Sequence, residues 1–259
     1  MENHKLVTVL TKVAGEYPGD MAGEQISDVP RIAYHIGLAL ASLGSKTHTQ
    51  CTICDLGGGI GLFSVGCAAL GFKRVVLMDD FNDVVNRRVG ASVLDLHRRY
   101  GVEVVSRDVI AEGLGDVLGG DTDVITTFDS MEHWHNSPKR MFREVVASLR
   151  SGGTFVLGVP NSVNMRKRIT VPFGIGKWTR MQEWYDEEVF RGHVREPDVD
   201  DLRYIARDMG LVDISIFGRN WMGYNSPSRV IRFATRLMDY PLRLKASFCS
   251  DIYLVGRKS

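Results

Sequence analysis

No stretch constrains this chain more than Cys51-Thr-Ile-Cys-Asp-Leu-Gly-Gly-Gly-Ile-Gly61. Thr52, Ile53 and Cys54 read as a short buried strand that Asp55 ends, and Gly57, Gly59 and Gly61 alternate before a helical run from Leu62 to Leu70. Glycine lets a backbone turn tightly from strand to helix and lets a ligand approach with no Cβ in the way. In open α/β sheets such a turn, at the carboxyl edge of a parallel strand, receives nucleotide-like ligands. The dinucleotide fingerprint G-x-G-x-x-G fails, because its third glycine would fall on Leu62 counting from Gly57, or on Ser64 counting from Gly59. What the residues do spell is acid-x-G-x-G-x-G, from Asp55 to Gly61.

The flanking sequence supplies a rhythm of strands and helices. Residues 1–29 are mixed, with a turn at Tyr17-Pro-Gly-Asp20, and Pro30 is expected to open a helix over Arg31 to Leu43 that Gly44 ends. A polar linker, Ser45–Gln50, leads into the first strand. Val75–Met78 is a second strand and ends in Asp79-Asp80. The helix Val84–Arg99, with Val85, Val89, Val93 and Leu96 at helical spacing, precedes a third strand, Val102–Ser106. Asp123–Phe128 is the fourth strand, and Lys139–Leu149 the next helix. Ser151-Gly-Gly153 is expected to turn into the strand Thr154–Val159, which Pro160-Asn161 closes. This alternation predicts a doubly wound, Rossmann-like α/β sheet with helices on both faces. Residues 160–196 break the rhythm with Arg166-Lys-Arg168 and the aromatics Phe173, Trp178, Trp184, Tyr185 and Phe190, and so long a segment suits a lid. Core packing accounts for Trp178 and Trp184 equally well. A helix Val199–Met209, a strand Leu211–Phe217, a helical stretch Pro227–Leu237 and a last strand Asp251–Val255 complete the chain.

The glycine motif, the acid after the second strand, Glu132-His133 after the fourth, the Gly-Gly turn and the terminal Pro-Asn together resemble the class I S-adenosylmethionine-dependent methyltransferases, over roughly residues 30 to 258. The resemblance implies one domain, 1–259, of about seven strands with an antiparallel last strand, a helical cap at 1–48 and a lid at 160–196. It implies S-adenosylmethionine as cofactor, left as S-adenosylhomocysteine, held by Asp55, Gly57, Gly58, Gly59, Gly61, Asp79, Asp80, Asp108, Val109 and Asp129. Asp79 stands 18 residues beyond Gly61 and would accept both ribose hydroxyls, a task that suits a carboxylate's several lone pairs. Asp80 would bind alongside it or cap the next helix. Asp108 would meet the adenine amino group, or serve as an ordinary cap.

Methyl transfer demands alignment of acceptor and methyl group, and for an oxygen or nitrogen acceptor it can demand removal of a proton. His133 and His193 are the candidate bases. Asp129, Glu132 and His133 stand at i, i+3 and i+4, and with His193 they resemble the ligand set of metal-dependent members such as small-RNA 2′-O-methyltransferases and ubiquinone-pathway O-methyltransferases, with Mg2+ or another divalent ion. The first acid departs from that pattern, being Asp129 where those members carry Glu. A hard ion there would draw in a hydroxyl and lower its pKa. The alternative is that Glu132 orients the turn and a histidine works unaided. His135 reads as a surface residue. Arg166-Lys-Arg168 and the arginines 229, 232 and 236 read either as anion contacts, to a substrate phosphate or an anionic membrane, or as solvated faces.

A net charge of +1 argues against nucleic acid as the main partner. No apolar run reaches the roughly 20 residues that span a bilayer. The start, Met1-Glu-Asn-His-Lys5, leads into no signal-peptide core, and four cysteines in expected core positions suit reduced thiols in the cytoplasm. Cys51 and Cys54 form a lone C-x-x-C inside a strand, which speaks against a zinc or redox site. The expectation is a cytoplasmic, conceivably homodimeric enzyme that methylates a small molecule, foremost a hydroxyl of natural-product, sugar or quinone type. An RNA or N-methyltransferase, and a non-catalytic cofactor-binding or partner subunit, are the alternatives.

Overall fold

The computed structural model describes residues 3–81, 84–176 and 179–259, so Trp178 lies outside the described residues. In chain order the elements are α1 (Asn3–Ala14), α2 (Met21–Ala41), β1 (Thr52–Leu56), α3 (Leu62–Ala69), β2 (Arg74–Asp79), α4 (Val84–Arg99), β3 (Val102–Ser106) and β4 (Thr122–Phe128). There follow α5 (Lys139–Ser148), β5 (Leu149–Pro160), α6 (Met165–Thr170), α7 (Met181–Tyr185), α8 (Val199–Asp208), β6 (Val212–Arg219), α9 (Trp221–Tyr224), α10 (Arg229–Arg243) and β7 (Asp251–Arg257). The strands form one seven-stranded sheet in the order β3-β2-β1-β4-β5-β7-β6, parallel where β1 meets β2 and β4 and where β2 meets β3, with the last strands antiparallel. Helices surround it, as the alternating pattern predicts.

Contacts divide the chain into two compact units. The first holds Met1–Thr127, Asn136–Val156 and Arg257–Ser259. Here β1 is buried at every position, and Ile53 lies opposite Val75 of β2 and Val124 of β4. The strand runs on through Asp55 to Leu56, where the sequence suggests that Asp55 ends it. Asp123 anchors the opposite end of this sheet region. Its carboxylate accepts from the amide of Thr52 and pairs with Lys46 and Arg150.

Two expectations for this unit are corrected. Residues 1–29 are mostly helical, and Pro30 sits inside α2 instead of opening it. An interior proline forfeits a backbone hydrogen bond; α2 offsets the loss by burying Val29, Ile32, Ala33, Ile36 and Ala39 along one stripe. The turn at 17–20 does separate α1 from α2, with Gly19 at φ +55°. Both helices pack on α3, and a Cβ at Gly66 would come within 2.5 Å of Leu10 Cδ2. The second correction is that β5 begins at Leu149, so Ser151-Gly-Gly153 is no turn. Gly152, at φ +69°, takes a conformation open to glycine, and the strand continues paired to Lys258 on both sides of it.

The second unit holds Phe128–His135 and Leu157–Gly256. Buried Asn161 organises it, donating to the carbonyls of Ser247 and Cys249 while its own amide donates to Ser250. Asp198 caps α8 through a reciprocal capping box with Asp201. Phe173, Trp184 and Tyr185 are exposed, so Trp184 is not a core residue. Of the basic run, Lys167 pairs with Glu196 and Arg168 donates to the carbonyl of Val163, while Arg166 is exposed. All four cysteines are free and buried. Among the described residues, no helix is long and apolar enough to cross a membrane.

Candidate active site

The glycine loop owes its shape to what lies beneath it. Gly57 and Gly59 hold φ of +68° and +55°, conformations that cost other residues roughly 1 kcal/mol or more. The Gly57 amide donates to the carbonyl of Met78 at 2.8 Å, which ties the loop to the end of β2. Asp55 is fully buried. Its Oδ2 accepts from Ser64 Oγ and its Oδ1 from Thr126 Oγ1, both at 3.0 Å. Burial pushes this carboxyl up to about 7, against the pull of its two hydrogen bonds. A Cβ at Gly58 would stand 2.1 Å from Asp55 Oδ2. Asp55 thus supports the loop from behind. His97 braces the other end, with Nε2 3.1 Å from the carbonyl of Gly61 and Nδ1 2.9 Å from that of Val93. Burial lowers its pKa, so the neutral ring donates to one carbonyl at a time.

Asp79 closes the cradle from the tip of β2. Its Oδ2 accepts from the Gly59 amide at 2.9 Å and its Oδ1 from the Phe81 amide at 2.7 Å. A carboxylate offers several lone pairs on two oxygens, which suits a pair of vicinal hydroxyls. Asp80 beside it is half-buried. Past β3, Asp108 is exposed and its Oδ1 accepts from the amides of Ile110 and Ala111, which closes a turn and caps no helix, and Val109 is buried. A loop in which a Cβ at Gly58 would strike Asp55, with a carboxylate at the neighbouring strand tip, suits a nucleoside carrying a ribose diol.

The second unit brings together Glu132, His133 and His193, whose ligand atoms all lie within 4.8 Å of one another. Glu132 and His133 sit on a 3-10 turn, Met131–His133, that follows β4. Each ring is held at Nδ1, that of His133 by the Arg191 carbonyl at 2.7 Å and that of His193 by Glu196 Oε1 at 2.9 Å. Each therefore turns Nε2 toward Glu132 Oε1, at 4.0 Å in both cases. The rings meet edge to face, with centroids 4.9 Å apart. Glu132 is 1% exposed, and its Oε2 has no hydrogen-bond partner. Burial first, then the charge of Asp129, raises its pKa to about 8. Desolvation lowers that of His133. Burial also works against the Glu196 anion, but His193 and Lys167 outweigh it and hold that carboxyl low.

Asp129 stands outside this trio, because the 3-10 turn begins two residues after it and so does not carry it on its face. It adopts φ +50°, rare for a side-chain-bearing residue, and its amide donates to Gly158. His135 is exposed. The supports Ser64, His97 and Thr126 escape sequence reasoning, since each lies nine or more residues from what it holds. Glu196 had a local signal in standing three residues after His193.

A family model described as a methyltransferase domain matches residues 28–216. Comparison with curated proteins gives no match. Similar solved structures include an S-adenosylmethionine-dependent methyltransferase from Archaeoglobus fulgidus, 17% identical, with a TM-score of 0.54 over 87% of this chain and 94% of that one. Magnesium protoporphyrin IX methyltransferase from Synechocystis PCC 6803, solved with S-adenosylhomocysteine, is 14% identical with a TM-score of 0.55 over 99% and 96%. Phosphoethanolamine N-methyltransferase 2 from Haemonchus contortus, solved with S-adenosylmethionine, is 12% identical with a TM-score of 0.55 over 99% and 57%. At such identities the likeness speaks to the fold.

Proposed function

Because the chain belongs to the methyltransferase-domain family and is an S-adenosylmethionine-dependent enzyme, we propose that it methylates a hydroxyl of a small molecule of natural-product, sugar or quinone type. The bound cofactor supplies an electrophilic methyl on a sulfonium. In this reading Gly57, Gly58, Gly59 and Gly61 let it approach the backbone, Asp79 accepts the ribose hydroxyls with Asp80 beside it, and Asp108 Oδ2 takes the adenine amino group above Val109. Residues 1–48 act as cap and 160–196 as lid of one domain. The four buried thiols fit a reducing, cytoplasmic setting.

The observation that carries the acceptor class is the pair of imidazoles, each fixed at Nδ1 and each presenting Nε2 to one buried carboxylate oxygen. An amine attacks unaided once it has lost its ammonium proton, whereas a hydroxyl gains nucleophilicity when a positioned base takes its proton during attack. His133 Nε2, kept neutral by desolvation, or His193 Nε2 accepts that proton. Transfer of radiolabelled methyl to a panel of matched hydroxyl and amine acceptors tests this. Label on amines alone would refute it.

A second reading adds a divalent ion held by Glu132, His133 and His193, with Asp129 at one remove. The partnerless Glu132 Oε2 favours it, since a buried carboxylate lacking a cation pays desolvation without compensation. A donor set of one carboxylate and two imidazoles suits a transition ion better than Mg2+. Visible spectra of the protein titrated with Co2+ test the site without turnover. Tetrahedral absorption lost in His193→Ala supports the ion, and its absence in the unaltered chain removes it.

A further inference from the structure

The helix α10 is turned inside out. Its sequence divides into an apolar arc and a polar one, as an amphipathic helix should. The stripe that meets the rest of its unit, however, is the polar one. Along it Arg232, Thr235, Asp239 and Leu242 are half-buried against α9, β6 and the turn Ala246–Phe248. Arg232 donates to the carbonyls of Ser226 and Pro227, Asp239 Oδ1 accepts from Asn220, and Thr235 fills the space over Gly223. The apolar arc faces away. Val230, Phe233, Leu237, Tyr240 and Leu244, spaced at helical intervals on one line, are each between 69% and 76% exposed, and Ile231 and Met238 beside them are about half exposed. So large a contiguous apolar surface marks an interaction site. It also lies beyond residues 28–216, the part the chain shares with its family.

Charge selects the occupant. Four arginines stand in α10 against one acid, Asp239, and that acid faces inward. Exposed Arg229 and Arg236 border the apolar arc on one side, while Arg243 and Lys245 follow at its end. Pairing of two copies through this face would bring cationic edges together with no outward carboxylate to meet them. We propose that α10 docks on an anionic lipid surface, with its apolar line sunk among the acyl chains and Arg229 and Arg236 at the phosphate level. Aromatic and leucine side chains bordered by arginines are the composition of helices that lie in such an interface. Its 15 residues extend about 22 Å, along a bilayer and not across it. The proposal does not depend on the acceptor.

The test is co-sedimentation of the full chain with vesicles of phosphatidylcholine alone and of phosphatidylcholine with phosphatidylglycerol, while light scattering follows its mass. Binding to the anionic vesicles is expected to be at least about tenfold tighter and to weaken with salt. Replacing Arg229 and Arg236 by alanine should cost roughly fivefold each. The double variant Phe233→Ser, Leu237→Ser should abolish binding on both vesicles and leave the unfolding midpoint unchanged, because both side chains are exposed. Equal binding to the two vesicle types, or none to either, overturns the proposal. So does a dimer of the unaltered chain that the serine variant makes monomeric, since a second copy would then own the face.

Discussion

Gly58→Ala separates steric from conformational reasons for glycine in the loop after β1. Gly58 is not among the residues with positive φ, so alanine is not barred there by its backbone. It is barred by contact. The new methyl would lie 2.1 Å from Asp55 Oδ2, 2.7 Å from its Cγ and 3.0 Å from Leu77 Cδ1, where real Cβ contacts under 3.0 Å essentially never occur. Asp55 cannot swing aside freely, because Ser64 and Thr126 hold its two oxygens in a fully buried site. Either the loop lifts or one of those bonds breaks. Overpacking costs about 1–3 kcal/mol and a stranded buried polar group about 1–3 kcal/mol, which puts the loss at about 1–3 kcal/mol for either response and at most about 6 kcal/mol for both. Thermal unfolding should show a drop of many degrees, and calorimetry should show S-adenosylhomocysteine affinity reduced by ten-fold or more. Gly61→Ala is the control, since its methyl would meet only the Gly58 carbonyl at 3.3 Å and its φ is −72°. If both variants behave alike, or if Gly58→Ala matches the unaltered chain in midpoint and affinity, the steric account of this loop is wrong.

Asp79→Ala removes the acceptor of the Gly59 and Phe81 amides, and charged hydrogen bonds of about 1.5–3 kcal/mol predict S-adenosylhomocysteine binding weaker by roughly ten- to a hundred-fold. Asp108→Ala, which leaves the turn amides of Ile110 and Ala111 without their acceptor, should cost about 1 kcal/mol of stability, read by thermal unfolding, and less affinity than Asp79→Ala. Asp55 sets a pH dependence. Its folded pKa, about 7, lies above the ordinary aspartate value of 3.8, so the stability linked to its proton is fully present below pH 4 and is lost as pH rises through 7. Asp55→Asn should flatten that part of the profile, and unfolding midpoints whose difference from the unaltered chain is the same at pH 5 and pH 8 would contradict the assignment.

The glycine loop and the strands of the first unit were legible because their signals are local. Apolar runs ended by acids, with glycines at fixed offsets, name a strand and a turn without knowledge of distant partners. Pro30 shows the limit of such signals, for a proline that marks a helix start by propensity is carried inside α2 by the apolar stripe around it. Gly152 shows the same limit, since a Gly-Gly pair serves a strand irregularity as readily as a turn. Glu132, His133 and His193 were nameable from sequence, but the shared orientation of the rings was not, because it depends on the Arg191 carbonyl and on Glu196. Asp129 fell outside the trio because helical spacing was assumed where a tighter turn forms. For α10, amphipathic spacing reveals that an apolar face exists but says nothing about which way it points.

The four cysteines have a consequence of their own. Cys54 and Cys67 are walled off from solvent, and burial raises their pKa well above the ordinary thiol value, so both access and thiolate are denied to an electrophile. A thiol reagent can reach them only when β1 and α3 come apart. The rate at which a mild alkylating label enters Cys54 and Cys67 is therefore a clock for the opening of the glycine-loop region, readable with no knowledge of the substrate.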